Sequence, residues 1–457
     1  MVGPQHVDEA ARRVEVVHTT DVLVVGSGPG GLAAALTAAR AGVAVTLVEH
    51  HGFFGGNITA VGVEGLAWYR HAETVEAGGL VPEFEARALA LGAAVPETQS
   101  DSYELDSEGF KVVADRMVLE AGIHPMLHRT VVAPVVDEGR VVGVITESKA
   151  GREALVAQVV VDATGDADLA HRAGAPTRRT PTEEAMAASV LFHLAGVDIA
   201  AFLEGVRADP QTYADWSGNS EWSIETSGKE DAMFSPFLGK PFARAVADGL
   251  LPADLTTIGG TWGAAHETGE LTYMNLVHLD GVDGTDADSL TRAEIEGRRR
   301  VLLAIEAMRR YVPGCERARL RNFGTTIGVR DTRKICAEHD LTEDEVRHEA
   351  RFEDSIGIFP EFIDGYGVLI LPTTGRYFQV PYRNLLPRDL DGLLVAGRAT
   401  GGDRIAHAAT RNMACCVVTG QGAGAAAAES VRSGARPRDL DPTRIQRELE
   451  RQGVRLA

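Results

Sequence analysis

The sequence predicts an α/β protein whose N-terminal unit is a Rossmann-like nucleotide-binding fold. An apolar, β-branched run at 21–25 leads into the turn Gly26-Ser27-Gly28-Pro29-Gly30-Gly31, and an Ala-rich stretch suited to a helix follows at 32–41. A second apolar run at 43–48 then ends at Glu49. Strand, turn, helix and strand in unbroken succession predict two parallel strands joined by a crossover helix.

The glycine-rich turn has the GxGxxG spacing at Gly26, Gly28 and Gly31. In such turns the first glycine makes the tight bend, the second lets the backbone approach a pyrophosphate, and the third allows the helix to pack closely on the strand. The helix N-terminus supplies free N–H groups for the phosphates. Glu49 stands where a carboxylate can accept hydrogen bonds from both ribose hydroxyls, which favours FAD or NAD over NADP.

Two further observations favour FAD over NAD. We find no second GxGxxG between a strand and a helix, because Gly259-Gly260-Thr261-Trp262-Gly263 lacks a preceding apolar strand. Gly55-Gly56-Asn57 follows soon after Glu49, and successive glycines suit a segment that approaches the isoalloxazine closely. The sequence therefore predicts one dinucleotide site that holds FAD.

Composition excludes several classes of function. The 457 residues contain 45 Lys and Arg against 65 Asp and Glu, a formal charge of −20, which disfavours nucleic acids and anionic membranes as partners. The four cysteines form no CxxC pair, and no metal-ligand spacing is present, so neither a disulfide scaffold nor a metal site is expected. The longest uncharged stretch, 412–428, is interrupted by glycines, and no secretory signal is apparent, so a cytoplasmic protein is expected.

Several spaced blocks carry a family resemblance. Val159 to Asp168 contains Asp-Ala-Thr-Gly-Asp, which resembles the signature of FAD-dependent oxidoreductases of the fumarate-reductase and glutathione-reductase superfamily. The segments 378–383 and 393–398 resemble that family's last strand and flavin-contacting turn. The block 328–335 with 341–345, and the segments 281–286 and 294–299, resemble one broad subgroup. The resemblance implies an FAD-dependent oxidoreductase and leaves the substrate open.

The resemblance and the strand pattern together predict the domain organisation. A discontinuous FAD-binding domain is expected at 20–175 and 376–432, with a β-meander between 131 and 161. An inserted α+β substrate or cap domain is expected at 176–375, and 1–19 and 433–457 are expected to be terminal extensions. Within the insert, a capping box from Thr291 to Glu294 predicts the start of a long helix.

We expect the cofactor to contact residues from each of these blocks. The helix N-terminus near Arg411 is implied to face the N1–C2=O edge of the flavin, and Asp403 is a candidate for a ribityl hydroxyl. A turn ion pair between Asp403 and Arg404 is the competing interpretation. The predicted cofactor-binding residues are Gly26, Ser27, Gly28, Pro29, Gly30, Gly31, Glu49, His50, Gly55, Gly56, Asn57, Val132, Ala163, Thr164, Gly165, Gly397, Arg398, Asp403, Arg411, Asn412 and Met413.

The candidate catalytic residues are His407, Arg404 and Arg330. His407 is a candidate acid or base because an imidazole titrates near neutral pH, and a neutral packed histidine is an equal alternative. Arg330, with Arg333 and Lys334, forms a basic group that could hold a substrate carboxylate or phosphate or the FAD pyrophosphate. The alternative for this group is an ion-pair network with Asp331 and nearby acids.

Three functions remain open. The first is an oxidase or dehydrogenase that moves a hydride from a small organic substrate to flavin N5, with electrons passed to O2 or another acceptor. The second is a single-component, NAD(P)H-dependent monooxygenase or halogenase. The third is a flavin-containing RNA-modification component, against which the negative charge speaks. A small-molecule substrate is expected in the first two cases, and an oligomer is possible.

Overall fold

The computed structural model describes residues 6, 9–66, 68–70, 76–98, 100–217, 223–224, 231–252, 255, 258–373 and 375–457. Its helices are α1 Pro29–Arg40, α2 Leu80–Leu91, α3 Ser107–Glu120, α4 Asp168–Arg172, α5 Ile199–Ala208, α6 Tyr213–Ser217, α7 Lys240–Ala247, α8 Ala287–Tyr311, α9 Glu343–Arg347, α10 Arg404–Thr410, α11 Met413–Ser433 and α12 Pro442–Arg451. Its strands are β1 Glu15–Val25, β2 Val45–Val48, β3 Ala94–Pro96, β4 Tyr103–Leu105, β5 His124–Met126, β6 Thr130–Asp137, β7 Arg140–Ser148, β8 Gly151–Asp162, β9 Thr177–Arg179, β10 Ala188–Ala195, β11 Ser223–Ile224, β12 Phe237–Leu238, β13 Ile258–Thr261, β14 Ala265–His266, β15 Glu270–Leu279, β16 Arg319–Phe323, β17 Arg333–Ile335, β18 Ser355–Pro360, β19 Ile363–Gly365, β20 Val368–Ile370, β21 Tyr377–Pro381 and β22 Leu393–Val395.

The main sheet has the order β5-β2-β1-β8-β7-β6, and β22 also pairs with β8. Strands β5, β2, β1, β8 and β22 are parallel, whereas β6, β7 and β8 form an antiparallel meander. Both the Rossmann-like α/β class and the meander are therefore confirmed. The carboxyl ends of β1, β2, β8 and β22 lie at one edge of the sheet, which is where open α/β sheets bind nucleotides.

Helix α1 packs between the sheet and α11. Gly31 allows this approach, because a Cβ there would lie 1.9 Å from the Gly26 carbonyl oxygen. Gly420 does the same on α11, where a Cβ would lie 2.1 Å from the carbonyl oxygen of Gly30. The glycines of the 412–428 stretch thus serve close helix packing, and no helix in the described part of the chain is long and apolar enough to cross a membrane.

A second sheet, in the order β12-β13-β15-β10-β16, covers the nucleotide edge of the first. Helix α8 packs on its strands β15 and β10 around a separate apolar core. The helix begins at Ala287 with Asp286 as its N-cap, so the predicted start at Thr291 is wrong. Glu294 instead accepts hydrogen bonds from Ile327 N and Thr326 Oγ1, and so ties the helix to the loop that precedes Arg330.

The segment predicted as the last strand of the FAD domain lies in a different sheet. Strand β21 pairs with β18, whereas β22 joins the main sheet. Residues of β18 and β19 also contribute to the apolar core beneath the main sheet. The predicted domain boundaries, 20–175 with 376–432, 176–375, and the two terminal extensions, stay predictions.

Candidate active site

One elongated cavity of about 600 Å³ runs along the carboxyl edge of the main sheet and under the second sheet. Its volume is typical of a site for a small molecule or cofactor. One end lies at Glu49 and Arg129, the middle lies between Gly28 and Gly397, and the far end lies at Tyr273 and Arg330. Sequence segments separated by hundreds of residues therefore share one site.

The middle of the cavity is a cradle of glycines. Helix α1 begins at Pro29 with no side chain capping it, so its first turn presents free N–H groups. A Cβ at Gly56 would lie 2.5 Å from the Cα of Gly28, and Gly55 N donates to Ser27 O at 3.0 Å. Gly55 therefore holds the two glycine segments together without lining the cavity itself. This wall suits a pyrophosphate that runs close to the backbone.

Glu49 is buried at the end of β2 and accepts several hydrogen bonds. Ser27 N and Oγ reach its Oε2 at 2.9 and 2.6 Å, and His51 N and His50 Nδ1 reach Oε1 at 2.9 and 2.8 Å. Burial alone would raise the pKa of Glu49, but these bonds outweigh burial and hold it at about 2. An ionised, hydrogen-bonded carboxylate at this end of the cavity fits the ribose role.

Among the described residues, one group has side chains that could hold a metal ion. It consists of Glu49, His50 and His51, whose ligand atoms lie within 4.8 Å of one another. All three residues line the cavity, and the Glu49 carboxylate already accepts four hydrogen bonds. The cluster is therefore a hydrogen-bonded part of the wall at the predicted ribose end.

The wall opposite α1 comes from the Asp-Ala-Thr-Gly-Asp loop and the turn after β22. Ala163, Thr164 and Gly165 line the cavity with Gly397 and Arg398. Arg398 pairs with Asp166 at 2.6 Å, which fixes the turn against the loop. Asn412 precedes α11 without capping it through its side chain, and Met413 also lines the cavity, so the helix N-terminus faces the site.

Two arginines lie at the far end of the cavity, and they differ in whether a carboxylate pairs with them. Arg411 pairs with Asp364 at 2.9 Å. Arg330 donates to the carbonyl oxygen of Ala187, and no described carboxylate lies within ion-pair distance of its guanidinium. Burial, followed by the charge of Arg411, lowers the pKa of Arg330 to about 10, so it stays charged at neutral pH. The three basic residues of 330–334 therefore do not act as one group, because Arg333 pairs with Asp168 and Lys334 pairs with Asp331.

Besides Gly55, four of the predicted site residues lie away from the cavity wall. Val131 lines the cavity, whereas its neighbour Val132 does not. Asp403 caps α10, accepting from Ala406 N at 2.9 Å and from Glu343 N at 2.7 Å, so its carboxylate is committed to the backbone. Arg404 is exposed and pairs with Glu184 at 2.7 Å rather than with Asp403. The ribityl role of Asp403 and the catalytic role of Arg404 therefore have no support in the structure.

His407, the fourth, is buried behind Arg330. Its Nε2 lies 3.1 Å from the Arg330 carbonyl oxygen and 3.7 Å from Asp331 Oδ1. Burial and the charge of Lys334 lower the pKa of His407 to about 3, so the ring is neutral at physiological pH. The alternative of a neutral packed histidine is the one that the geometry supports, and His407 is a positioning residue rather than an acid or base.

Sequence reasoning missed several residues at the far end of the cavity, chiefly Tyr273, Asn275, Asp364 and Gly65. Tyr273 and Asn275 lie on β15, which reaches the site only because the second sheet folds over the first. Tyr273 has a φ of 51° at an irregularity in the pairing of this strand. No motif marks these residues, and only their position after folding identifies them.

The geometry fits FAD. The buried carboxylate at one end of the cavity matches the adenosine portion of the cofactor. The uncapped helix N-termini and close-packed glycines in the middle match the pyrophosphate, and the wider end under the second sheet matches the ring. The main support for this fit is that the cradle is open only because its residues are glycines, since added Cβ atoms would fill it.

Curated relatives match part of the chain. Digeranylgeranylglycerophospholipid reductase 2 of Methanopyrus kandleri is 30% identical over 188 residues, 39% of this chain and 46% of that protein. Thiamine thiazole synthase of Metallosphaera sedula is 32% identical over 161 residues, 33% of this chain and 55% of that protein. The chain thus spans about half the length of the curated relatives it matches.

Among solved structures, a geranylgeranyl bacteriochlorophyll reductase-like protein from Thermoplasma acidophilum aligns at 14% identity with a TM-score of 0.46, over 95% of this chain and 83% of the other. The model of the FAD dependent oxidoreductase family matches residues 21–449, nearly the whole chain. The glycine cradle, the ribose carboxylate and this match lead to one conclusion: the chain is an enzyme that belongs to the FAD dependent oxidoreductase family.

Proposed function

We propose that this enzyme oxidises a small organic anion at the far end of the cavity. Bound FAD would accept a hydride at N5 from a C–H bond of the substrate, and the electrons would then pass to O2 or another acceptor. The observation that carries the proposal is the half-buried guanidinium of Arg330 in the cavity wall, which is charged at neutral pH and has no ion-pair partner among the described residues.

A charge that is partly withdrawn from water and has no ion-pair partner among the described residues is unfavourable, and a ligand of opposite charge would relieve that cost. Arg330 is held in place by the carbonyl of Ala187, while His407 contacts its own backbone carbonyl. Its planar guanidinium suits two-point binding of a carboxylate or phosphate. Arg411 is already neutralised by Asp364, so Arg330 is the group that selects the substrate's charge.

Tyr273 and Asn275 complete this end of the site. Burial, reinforced by the charge of Glu104, raises the pKa of Tyr273, so its hydroxyl stays protonated and donates hydrogen bonds. The phenol and the amide can therefore orient a hydroxyl or amino group of the substrate. Arg330, Tyr273 and Asn275 together fix one anionic and one neutral polar group on the same molecule.

The test is anaerobic stopped-flow mixing of the FAD-loaded enzyme with two sets of reductants. Small hydroxy or amino acids should bleach the flavin, whereas their uncharged amides and NAD(P)H alone should not. Arg330→Met should weaken the apparent substrate affinity by about 1.5–3 kcal/mol, the value of a charged hydrogen bond, with FAD content unchanged. Arg404→Met, which removes an exposed arginine outside the cavity, is the matched control.

Two outcomes would contradict the proposal. Rapid bleaching by NAD(P)H alone would indicate the monooxygenase or halogenase alternative. Equal bleaching by the acids and their amides, unaltered in Arg330→Met, would remove Arg330 from substrate recognition.

A further inference from the structure

A second cavity of about 360 Å³ lies behind the wall of the first. It is lined by Glu64, Glu104, Asp106 and His266, among others. Gly65 separates the two cavities, because it lines the first and pairs in an isolated β-bridge with Glu104. One residue without a side chain therefore stands between the substrate end of the site and a group of buried carboxyls.

The carboxyls face Gly65 directly. A Cβ at Gly65 would lie 3.1 Å from Glu104 Oε2 and 3.4 Å from Glu97 Oε1, so an alanine there would press against both carboxyls. Glu104 is only 2% exposed, and its Oε2 has no hydrogen-bond partner among the described residues. A buried carboxyl oxygen without a partner is rare in proteins and needs an explanation.

The surrounding charges favour a protonated carboxyl at Glu104. Burial, then the charges of Glu97 and Glu64, raises the pKa of Glu104. Burial also raises the pKa of Glu64 to about 7, although Ser107 N donates to its Oε1 at 3.0 Å.

The other titratable and charged groups that face this cluster come from several elements. They are Asp106 before α3, His193 on β10, His266 on β14, Tyr273 on β15 and Arg321 on β16. His193 Nε2 lies 3.8 Å from Glu64 Oε1, and burial lowers the pKa of His193 to about 4, so this ring is uncharged at neutral pH and does not neutralise the cluster.

We propose that Glu104 and Glu64 form a proton relay that connects the substrate end of the main cavity, past Gly65, with the second cavity. The inference rests on the proposed function. When the substrate C–H bond gives its hydride to the flavin, the adjacent O–H or N–H bond breaks and a C=O or C=N bond forms. Protonated Glu104 gives its proton to Glu64, which releases it into the second cavity, and the proton from the substrate takes its place on Glu104.

A metal ion does not account for these carboxyls. Within the described residues, the oxygens of Glu64, Glu97 and Glu104 do not gather closely enough to share one ion. The relay, by contrast, needs separated groups that can each hold a proton close to the wall of the main cavity, and Glu104 and Glu64 are such groups.

The first test is spectroscopic and needs no substrate. Infrared difference spectra of the FAD-loaded enzyme, reduced electrochemically in H2O and in D2O, should show the carbonyl stretch of a protonated carboxylic acid that shifts on deuteration. Glu104→Gln should lose this band. Glu85→Gln should keep it, because Glu85 is an equally buried carboxyl that contacts Tyr69 and Arg70 elsewhere.

The second test follows proton release with an indicator dye while the flavin is reduced by substrate without oxygen. Glu104→Gln and Gly65→Ala should each slow proton release about tenfold or more, and Glu104→Asp should restore part of the rate. The φ of Gly65 is not positive, so alanine is tolerated by the backbone there. Acetic acid in the buffer should rescue Glu104→Gln and leave Glu85→Gln unchanged.

The relay is overturned if the infrared band persists in Glu104→Gln, or if proton release keeps its rate in both Glu104→Gln and Gly65→Ala. Failure of every organic anion to reduce the flavin would refute the proposed function instead, and the electrochemical spectra would still decide the relay.

Discussion

Replacing Glu64 by glutamine should change how stability depends on pH. Glu64 is 1% exposed, and burial raises its pKa from an ordinary value of 4.5 to about 7. The unfolded chain therefore ionises Glu64 above pH 4.5, while the folded protein keeps it protonated until about pH 7. Wild-type stability falls across this window and levels off above it.

The magnitude follows from the shift. A change of 2.5 units, from 4.5 to about 7, corresponds to about 3 kcal/mol at about 1.4 kcal/mol per unit. About 2 kcal/mol of this falls between about pH 5.5 and pH 8.5. Glu64→Gln has the same shape, can still accept from Ser107 N and carries no titrating group. Its stability relative to wild type should therefore rise by about 2 kcal/mol over that interval.

Urea unfolding of both proteins at these two pH values, followed by fluorescence at equal FAD concentration, measures the difference. Glu120→Gln serves as control, because Glu120 is an exposed glutamate at the end of α3. A stability difference between wild type and Glu64→Gln that does not vary with pH would refute the assigned pKa, and with it the account of burial at this site.

Three other changes test the cofactor site. Gly31→Ala should abolish FAD retention, measured by absorbance after gel filtration, because its Cβ would lie 1.9 Å from Gly26 O; normal FAD content would contradict the packing described. Glu49→Gln should weaken FAD binding by about 1–3 kcal/mol in a fluorescence titration, since the carboxylate is ionised, and unchanged affinity would remove Glu49 from the ribose role. His407→Gln should leave the pH profile of flavin reduction unaltered between about pH 5 and 9, because His407 has a pKa of about 3; loss of a transition near neutral pH would restore it as an acid or base.

Local rules predicted the nucleotide half of the site. The GxGxxG turn, the acid at the end of β2 and the loop at Ala163–Gly165 follow directly from strand-turn-helix patterns, because the backbone at each place is determined by its neighbours in sequence. Structure adds the partners of Glu49 and shows that Gly55 supports the cradle from behind.

The structure does not support the predicted roles of Asp403 and Arg404 or an acid–base role of His407, and the reason is physical. A polar residue beside a helix start can serve a ligand or the backbone, and sequence alone does not distinguish the two. The Asp403 carboxylate accepts a hydrogen bond from the N-terminus of α10, and His407 Nε2 lies at hydrogen-bond distance from the carbonyl oxygen of Arg330. Both side chains bind backbone groups and neither lines the cavity, so neither directly contacts a molecule bound there.

The sequence by itself therefore determined the α/β class and the cofactor, and it predicted the residues that would hold the phosphates and ribose. Only the tertiary structure decided which arginine has no ion-pair partner among the described residues, which tyrosine faces the cavity and which glycine lies against buried carboxyls. These depend on contacts between β15, the loop at Gly65 and the segment at Arg330, which lie far apart in the chain. Burial and pairing are properties of such contacts, so no local pattern encodes them.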